Sequence, residues 1–149
     1  MSRNKKNDSQ NQEPQIKETR KEALTRLFLE NGLVKEDVHK DPRGFVIITR
    51  SGIDKIVSKQ GITVAYEPLL LELKKDNINV VIRAAASMQG KNNKPINMMS
   101  FGEASDNNLM GGAKKFPVAM AEKRAMSRVV LKIAGFYEQG AFGQDEMVD

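Results

Sequence analysis

One long amphipathic helix near the end of the chain constrains the fold more than any other stretch. Residues 114–137 read KKFPVAMAEKRAMSRVVLKIAGFY, in which Pro117 marks a helix start and Gly135 a helix stop. At 100° per residue, six apolar side chains fall on one arc of about 120°, which predicts a face that packs on a core. These side chains are Val118, Ala119, Met126, Val129, Val130 and Ile133.

The same helix carries the excess positive charge of the chain. Arg124, Arg128 and Lys132 are spaced i, i+4, i+8 and form one ridge, hereafter the basic ridge, away from the apolar arc. Six basic residues and one acid in residues 114–135 give this segment a charge of +5, equal to the net charge of the 149-residue chain. A concentrated basic ridge on a rigid element is typical of phosphate binding, and a solvated helix face fits the pattern equally well.

Composition argues against several classes of protein and site. The chain has no cysteine and a single histidine, His39, so we expect neither disulfides nor a zinc cluster. No apolar run approaches the roughly 18 residues of a membrane span, and the N-terminus lacks the apolar region of a signal peptide. We therefore expect an intracellular, cytoplasmic protein that uses no metal or cofactor and has no membrane partner.

The length and the composition of the two ends predict three regions. Residues 1–14 are polar and are expected to form a disordered arm. Residues 15–140 are expected to form a single α+β nucleic-acid-binding domain. Residues 141–149 contain Asp145, Glu146 and Asp149 and are expected to form an acidic flexible tail, which is either a loose end or a segment that competes with nucleic acid or docks a partner.

Hydrophobic periodicity predicts the order of elements within this domain. The expected elements are a helix over 15–31, a strand over 45–49, a short helix over 51–61 capped by Ser51, strands over 62–75, 79–88 and 96–104, and the long helix. The segment 62–75 reads either as one strand or as two strands with a break at Pro68. The predicted architecture is an antiparallel three- to four-stranded β-meander covered by the long C-terminal helix, with an N-terminal helix and one short helix.

Three short segments carry a family resemblance: SGIDKI at 51–56, FGEAS at 101–105 and the helix PVAMAEKRAMSRVVLKIAGFY at 117–137. Together they resemble small phage and prophage proteins that bind and anneal single-stranded DNA. The β-β-β-α order is more remotely similar to the core of Red-beta and Erf-type annealing proteins. The resemblance implies protomers joined edge to edge into homo-oligomers, a role in phage DNA replication or recombination, and a place in the bacterial host cytoplasm.

With this resemblance, the helix and its flanks are expected to line a groove for the backbone of single-stranded DNA. The candidate nucleic-acid-binding residues are Lys114, Lys115, Lys123, Arg124, Arg128 and Lys132, flanked by Arg83, Lys91 and Lys94. The candidates for base stacking are Phe101, Phe116 and Tyr137, although an aromatic residue at a helix end, such as Tyr137, is more often a core residue. Glu122 falls within the apolar arc, and the ridge does not explain it.

Two other function classes stay open besides sequence-independent binding of single-stranded DNA, with strand annealing as its alternative. Glu72 and Lys74 have the E-x-K spacing of a small magnesium-dependent nuclease, for which Asp54 or Glu103 would have to supply a second acid. The third class is an adaptor of a replication complex that contacts other replication proteins through the acidic tail. We expect a binding protein rather than an enzyme.

Overall fold

The structure is a computed structural model and describes residues 17–147, which contain three α-helices and two three-stranded sheets. The elements are α1 (Arg20–Glu30), β1 (Val38–Lys40), β2 (Val46–Ile48), α2 (Arg50–Gln60), β3 (Thr63–Lys74), β4 (Asn77–Gln89), β5 (Pro95–Ser105), α3 (Pro117–Ile133) and β6 (Ala141–Gly143). The α+β class is therefore confirmed. The predicted arm 1–14 and the last two residues of the predicted tail lie outside the described residues.

The predicted meander is present as the antiparallel sheet β3-β4-β5. β3 runs through Pro68 as one strand, with a bulge between Pro68 and Leu70, so the two-strand alternative and a four-stranded meander are wrong. Side chains of β4 alternate as expected, because Val80, Ile82, Ala84 and Ala86 are all buried on the face that α3 covers. The opposite face of this sheet, hereafter the open face, is not covered by α3.

A second small sheet, β1-β2-β6, is a feature that the sequence did not predict. β2 pairs antiparallel with β1 and parallel with β6, where Val46 lies opposite Ala141. The expected flexible tail is therefore corrected for residues 141–147, which form β6 and a 3-10 turn (Gln144–Glu146) against the domain. The predicted strand over 45–49 is present as β2, whereas β1 and β6 are too short for periodicity to reveal, and the acids that follow β6 favoured the interpretation as a tail.

Two threonines cap the shorter helices. Thr19 Oγ1 accepts a hydrogen bond from the Glu22 amide at the start of α1, over 3.2 Å. At the start of α2 the cap is Thr49 and not the expected Ser51, because Thr49 Oγ1 accepts from the Gly52 amide over 3.3 Å. The Ser51 hydroxyl instead donates to Asp37 Oδ1 over 2.7 Å and ties α2 to the segment before β1.

The helix α3 begins and ends as predicted, with Pro117 at its first position and Gly135 just beyond it at φ +85°. One side of α3 packs on the meander, and other sides of the helix pack on α2 and β6. At the meander side, Gly102 lies so close to α3 that a Cβ built on it would come 2.2 Å from the Ala121 carbonyl oxygen and 2.4 Å from the Ala125 nitrogen. Small residues on both elements therefore set the distance between helix and sheet.

The apolar arc of α3 is buried along most of its length. Met126, Val129, Val130 and Ile133 belong to the core, whereas Val118 and Ala119 in the first turn are exposed. Beyond the helix end, Phe136 stacks on Phe28 of α1 with 6.2 Å between ring centroids. No helix within residues 17–147 is long and apolar enough to cross a membrane.

Candidate nucleic-acid interface

The structure places Arg124 of the basic ridge inside the fold and not in a groove. Its side chain is 6% exposed and lies between α3, β5 and the loop that follows β5. Its nitrogen atoms donate to the carbonyl oxygens of Glu103 (2.9 Å), Asn108 (2.7 Å) and Asp145 (3.3 Å) and to Asn108 Oδ1 (2.9 Å). Burial lowers the pKa of this guanidinium from its ordinary value, yet it stays charged. The expectation that Arg124 binds phosphate is therefore corrected.

Arg128 and Lys132 lie at the edge of the meander and also contact protein groups. Arg128 Nη1 donates to the Phe101 carbonyl oxygen over 2.6 Å, and Arg128 Nε donates to Glu146 Oε1 over 2.7 Å. Burial lowers the pKa of Arg128, but the carboxylates of Glu146 and Glu103 outweigh burial and raise it. Lys132 Nζ donates to Ser100 Oγ over 3.1 Å. The ridge thus fastens α3 to β5 and to the turn after β6.

The remaining basic residues of this segment are exposed at the start of α3. Lys114 and Lys115 end a 3-10 turn (Gly111–Lys115), and Lys123 lies two turns into the helix. Phe116 stands between them with 64% of its surface exposed. We call Lys114, Lys115, Phe116 and Lys123 the helix-start surface. Phe116 has no acceptor with which to cap the first-turn amides, so the positive end of the helix dipole adds to the lysine charges.

Arg83 and Phe101 face each other on the open face of the meander. Arg83 forms an ion pair with Glu67 of β3, and Phe101 is 45% exposed. The pairing register puts three carboxylates on this face, Glu67, Glu72 and Glu103, so Arg83 does not lie in a basic surface.

The two hairpin lysines are exposed but lie away from the helix start. Lys91 and Lys94 connect β4 to β5, and the loop that leads to Lys114 leaves from the opposite end of β5. The 11 residues of β5 correspond to about 35 Å of extended chain. The structure therefore separates the predicted phosphate-binding residues into four places: the ridge, the helix-start surface, the open face and the hairpin.

Tyr137 belongs to an aromatic cluster that the sequence did not reveal. Its ring contacts Phe142 edge to face at 4.9 Å, and Phe142 contacts Phe45 in the same manner at 5.5 Å. Lys132 Nζ lies 5.1 Å from the centroid of the Tyr137 ring. Tyr137 is therefore partly buried by packing between the small sheet and the end of α3, as is usual for an aromatic residue at a helix end.

Glu122, which the ridge did not explain, is exposed near the start of α3 because the apolar arc leaves the core there. Burial raises the pKa of the nearby Tyr66 hydroxyl, and the negative charge of Glu122 raises it further.

The acids proposed for a nuclease site do not gather into a metal-binding cluster. Among residues 17–147, no three or more His, Asp or Glu side chains are grouped so that they could hold a metal ion. Glu72 and Glu103 share the open face but lie on the two edge strands with β4 between them, and Asp54 pairs with Arg50 at 3.2 Å.

Comparison of the chain with known protein families and with curated protein sequences finds no match to either. The arrangement of charges, aromatic rings and strand edges described above is therefore the basis on which a function is proposed.

Proposed function

We propose that the chain binds single-stranded DNA without sequence preference and that the helix-start surface is its main contact. The observation that carries this proposal is that Lys114, Lys115, Lys123 and the ring of Phe116 are all exposed at the start of α3. Lysines neutralise backbone phosphates without reading bases, and an exposed ring stacks on any unpaired base. The resemblance to phage single-stranded DNA-binding proteins supports the same proposal and suggests work in replication or recombination.

Charge distinguishes the helix-start surface from the surface around the exposed ring of Phe101 on the meander. Phe101 shares the open face with Arg83 and Lys74, but the three carboxylates on that face outnumber these cations. At the helix-start surface, Glu122 is the acid on the exposed part of the helix, against three lysines. A polyanion is therefore attracted to the start of α3 and repelled from the open face.

The edges of the meander support assembly into homo-oligomers. β3 and β5 are both edge strands, 12 and 11 residues long, and β3 carries four leucines that are about half exposed, Leu69, Leu70, Leu71 and Leu73. Long edges with exposed apolar side chains pair readily with another chain. Pairing of one copy's edge with the next would cover these leucines and align many helix-start surfaces along one DNA strand.

Titration of a labelled oligodeoxythymidine, followed by fluorescence anisotropy, tests the proposal. We expect binding without magnesium, weaker binding to duplex DNA of equal length, and loss of affinity with salt. Phe116→Ala is expected to weaken binding by about fivefold or more, since one base–aromatic stack contributes about 1–3 kcal/mol.

Absence of binding at low salt by the folded chain contradicts the proposal. Cleavage of the oligonucleotide on addition of magnesium favours the nuclease alternative. An annealing assay with complementary oligonucleotides in the same solutions tests whether bound strands are also paired.

A further inference from the structure

We propose that a cavity beside the aromatic cluster of Tyr137, Phe142 and Phe45 binds one nucleotide, with its base on the rings and its phosphate on Arg20. The choice of a nucleotide as the ligand rests on the proposed function, but the site is separate from the helix-start surface. It lies at the other end of α3, because Tyr137 follows the helix end and a helix of 17 residues spans about 25 Å.

The cavity has a volume of about 320 Å³ and opens between the start of α1, the small sheet and the turn after α3. This volume lies at the lower end of the range for small-molecule sites, which suits a single nucleotide better than a larger ligand. Apolar and aromatic walls with a few polar groups are the usual composition of a binding pocket. The apolar side chains that line this cavity are Leu24, Phe45, Val46, Tyr137 and Phe142, and the polar ones are Arg20, Glu138 and Gln139.

The aromatic cluster offers ring faces on which a base stacks. Tyr137 and Phe142 meet edge to face, as do Phe142 and Phe45, and such a contact covers one face of only one ring in each pair. Lys132 lies over the Tyr137 ring and Arg43 over the Phe45 ring, but neither cation is among the described residues that line the cavity. Phe45 is 40% exposed, so a base covers apolar surface there that water now contacts.

Arg20 and Gln139 supply polar groups that the described part of the fold leaves without partners. Within residues 17–147, neither side chain forms a hydrogen bond or an ion pair. The Arg20 guanidinium lies beside the Gly140 backbone, since a Cβ built on Gly140 would come 3.5 Å from Arg20 Nη1. A guanidinium binds a phosphate through two parallel N–H donors. The Gln139 amide both donates and accepts hydrogen bonds, so it pairs with the edge of any base.

Glu138 makes the phosphate and the base separable in an experiment. It is the acid among the described residues that line the cavity, and its side chain is exposed. Its negative charge opposes a phosphate at Arg20 but has no such effect on an uncharged nucleoside. Removing this charge should therefore strengthen the binding of a nucleotide and leave the binding of a nucleoside unchanged.

The chain has two tyrosines and no tryptophan, which gives the cavity its own reporter. In a chain that is labelled with fluorotyrosine and carries Tyr66→Phe, the remaining fluorine signal comes from Tyr137. We expect thymidine monophosphate and thymidine both to shift this signal in fluorine NMR, the monophosphate at lower concentration. Inorganic phosphate alone should shift it far less, and an equal shift would contradict the binding of a base.

Three variants of the labelled chain test the roles of the polar groups. Arg20→Gln should raise the half-saturating concentration of thymidine monophosphate by about fivefold or more and leave that of thymidine unchanged. Lys21→Gln is the matched control, because Lys21 is the next residue of α1, is exposed and does not line the cavity. Glu138→Gln should lower the half-saturating concentration of the monophosphate, and it carries the test if Arg20→Gln fails to fold in circular dichroism.

The outcomes separate this site from the proposed function. If neither nucleotide nor nucleoside moves the Tyr137 signal while oligodeoxythymidine still binds in the anisotropy titration, the cavity site is wrong and the proposed function stands. If the signal shifts as expected and oligodeoxythymidine does not bind, the proposed function fails and the cavity site stands. Equal effects of Arg20→Gln and Lys21→Gln would contradict the placement of the phosphate on Arg20.

Discussion

Arg124 illustrates, at the scale of a single residue, how a helical cation becomes part of a protein interior. Its four hydrogen bonds join the end of β5, the loop after β5 and the 3-10 turn after β6. Removing a buried, fully paired charge leaves several acceptors without donors.

We therefore predict that Arg124→Gln lowers the free energy of unfolding by about 2–4 kcal/mol. The neighbouring exposed Lys123→Gln should change it by less than about 0.5 kcal/mol. Urea unfolding followed by circular dichroism measures both values. Equal midpoints for the two variants would show that Arg124 does not stabilise the fold.

Asp37 is a second buried charge, and its environment predicts how the stability of the protein depends on pH. The Lys55 ammonium, at 2.6 Å, and the Val34 amide hold the pKa of Asp37 down to about 2. Because the folded pKa lies below the unfolded value of about 3.9, this stabilisation is complete above about pH 4 and is lost as the pH falls towards 2.

We expect Asp37→Asn to destabilise the protein by about 1–2 kcal/mol at neutral pH. The difference from the unmodified chain should shrink as the pH falls from 4 to 2, where Asp37 takes up its proton. Thermal unfolding midpoints across this range provide the measurement. A difference that is the same at pH 3 and pH 7 contradicts the ion-pair assignment.

At the scale of elements, sequence periodicity located the long strands and helices because each contains several turns or repeats of an apolar pattern. β4 and α3 are the clearest examples, with alternating burial in β4 and a 17-residue helix bounded by Pro117 and Gly135. β1, β2 and β6 are three residues each, and their pairing depends on contacts between distant segments. The apolar run at 45–49 predicted β2, but no local pattern indicated β1, β6 or the pairing of the three strands.

The position of the basic ridge could not be predicted from the helix alone. Burial of one apolar arc suggested that the rest of α3 faced solvent, whereas Ala121 and Ala125 form a second buried face against Gly102. Arg128 and Lys132 continue this second face and so lie at the meander. The spacing of the two alanines and the glycine in a strand were the signals available in the sequence.

Gly102 therefore provides a test of how α3 sits on the meander. A Cβ at this position would overlap backbone atoms of Ala121 and Ala125, which cannot move aside as a side chain can. We predict that Gly102→Ala lowers the free energy of unfolding by about 2 kcal/mol or more. Gly112→Ala, where a Cβ meets no atom within 4 Å, is the control and should have a small effect in the same thermal scan. A fully stable Gly102→Ala would contradict the close packing.

At the scale of the whole molecule, the exposed edge strand β3 of the meander predicts self-association. Leu71 and Leu73 of β3 are 51% and 56% exposed, and lysines at these positions should prevent pairing of the edge by charge repulsion. We expect the unmodified chain to sediment as an oligomer and Leu71→Lys/Leu73→Lys to sediment as a monomer. Leu29→Lys, at a leucine on α1 that is more exposed still, should leave the oligomer intact. An unmodified chain that stays monomeric at tens of micromolar refutes this part of the account.

The central claim is that single-stranded DNA binds to the lysines at the start of α3. The measurement that tests it most directly is the salt dependence of oligodeoxythymidine affinity for two triple variants of equal charge. In the first variant, glutamine replaces Lys114, Lys115 and Lys123. The slope of log affinity against log salt should then become shallower by about 2, because each phosphate contact contributes about 0.7. Removing the exposed Lys59, Lys91 and Lys94 in the same way should leave the slope nearly unchanged. Equal slopes for the two variants would contradict the claim.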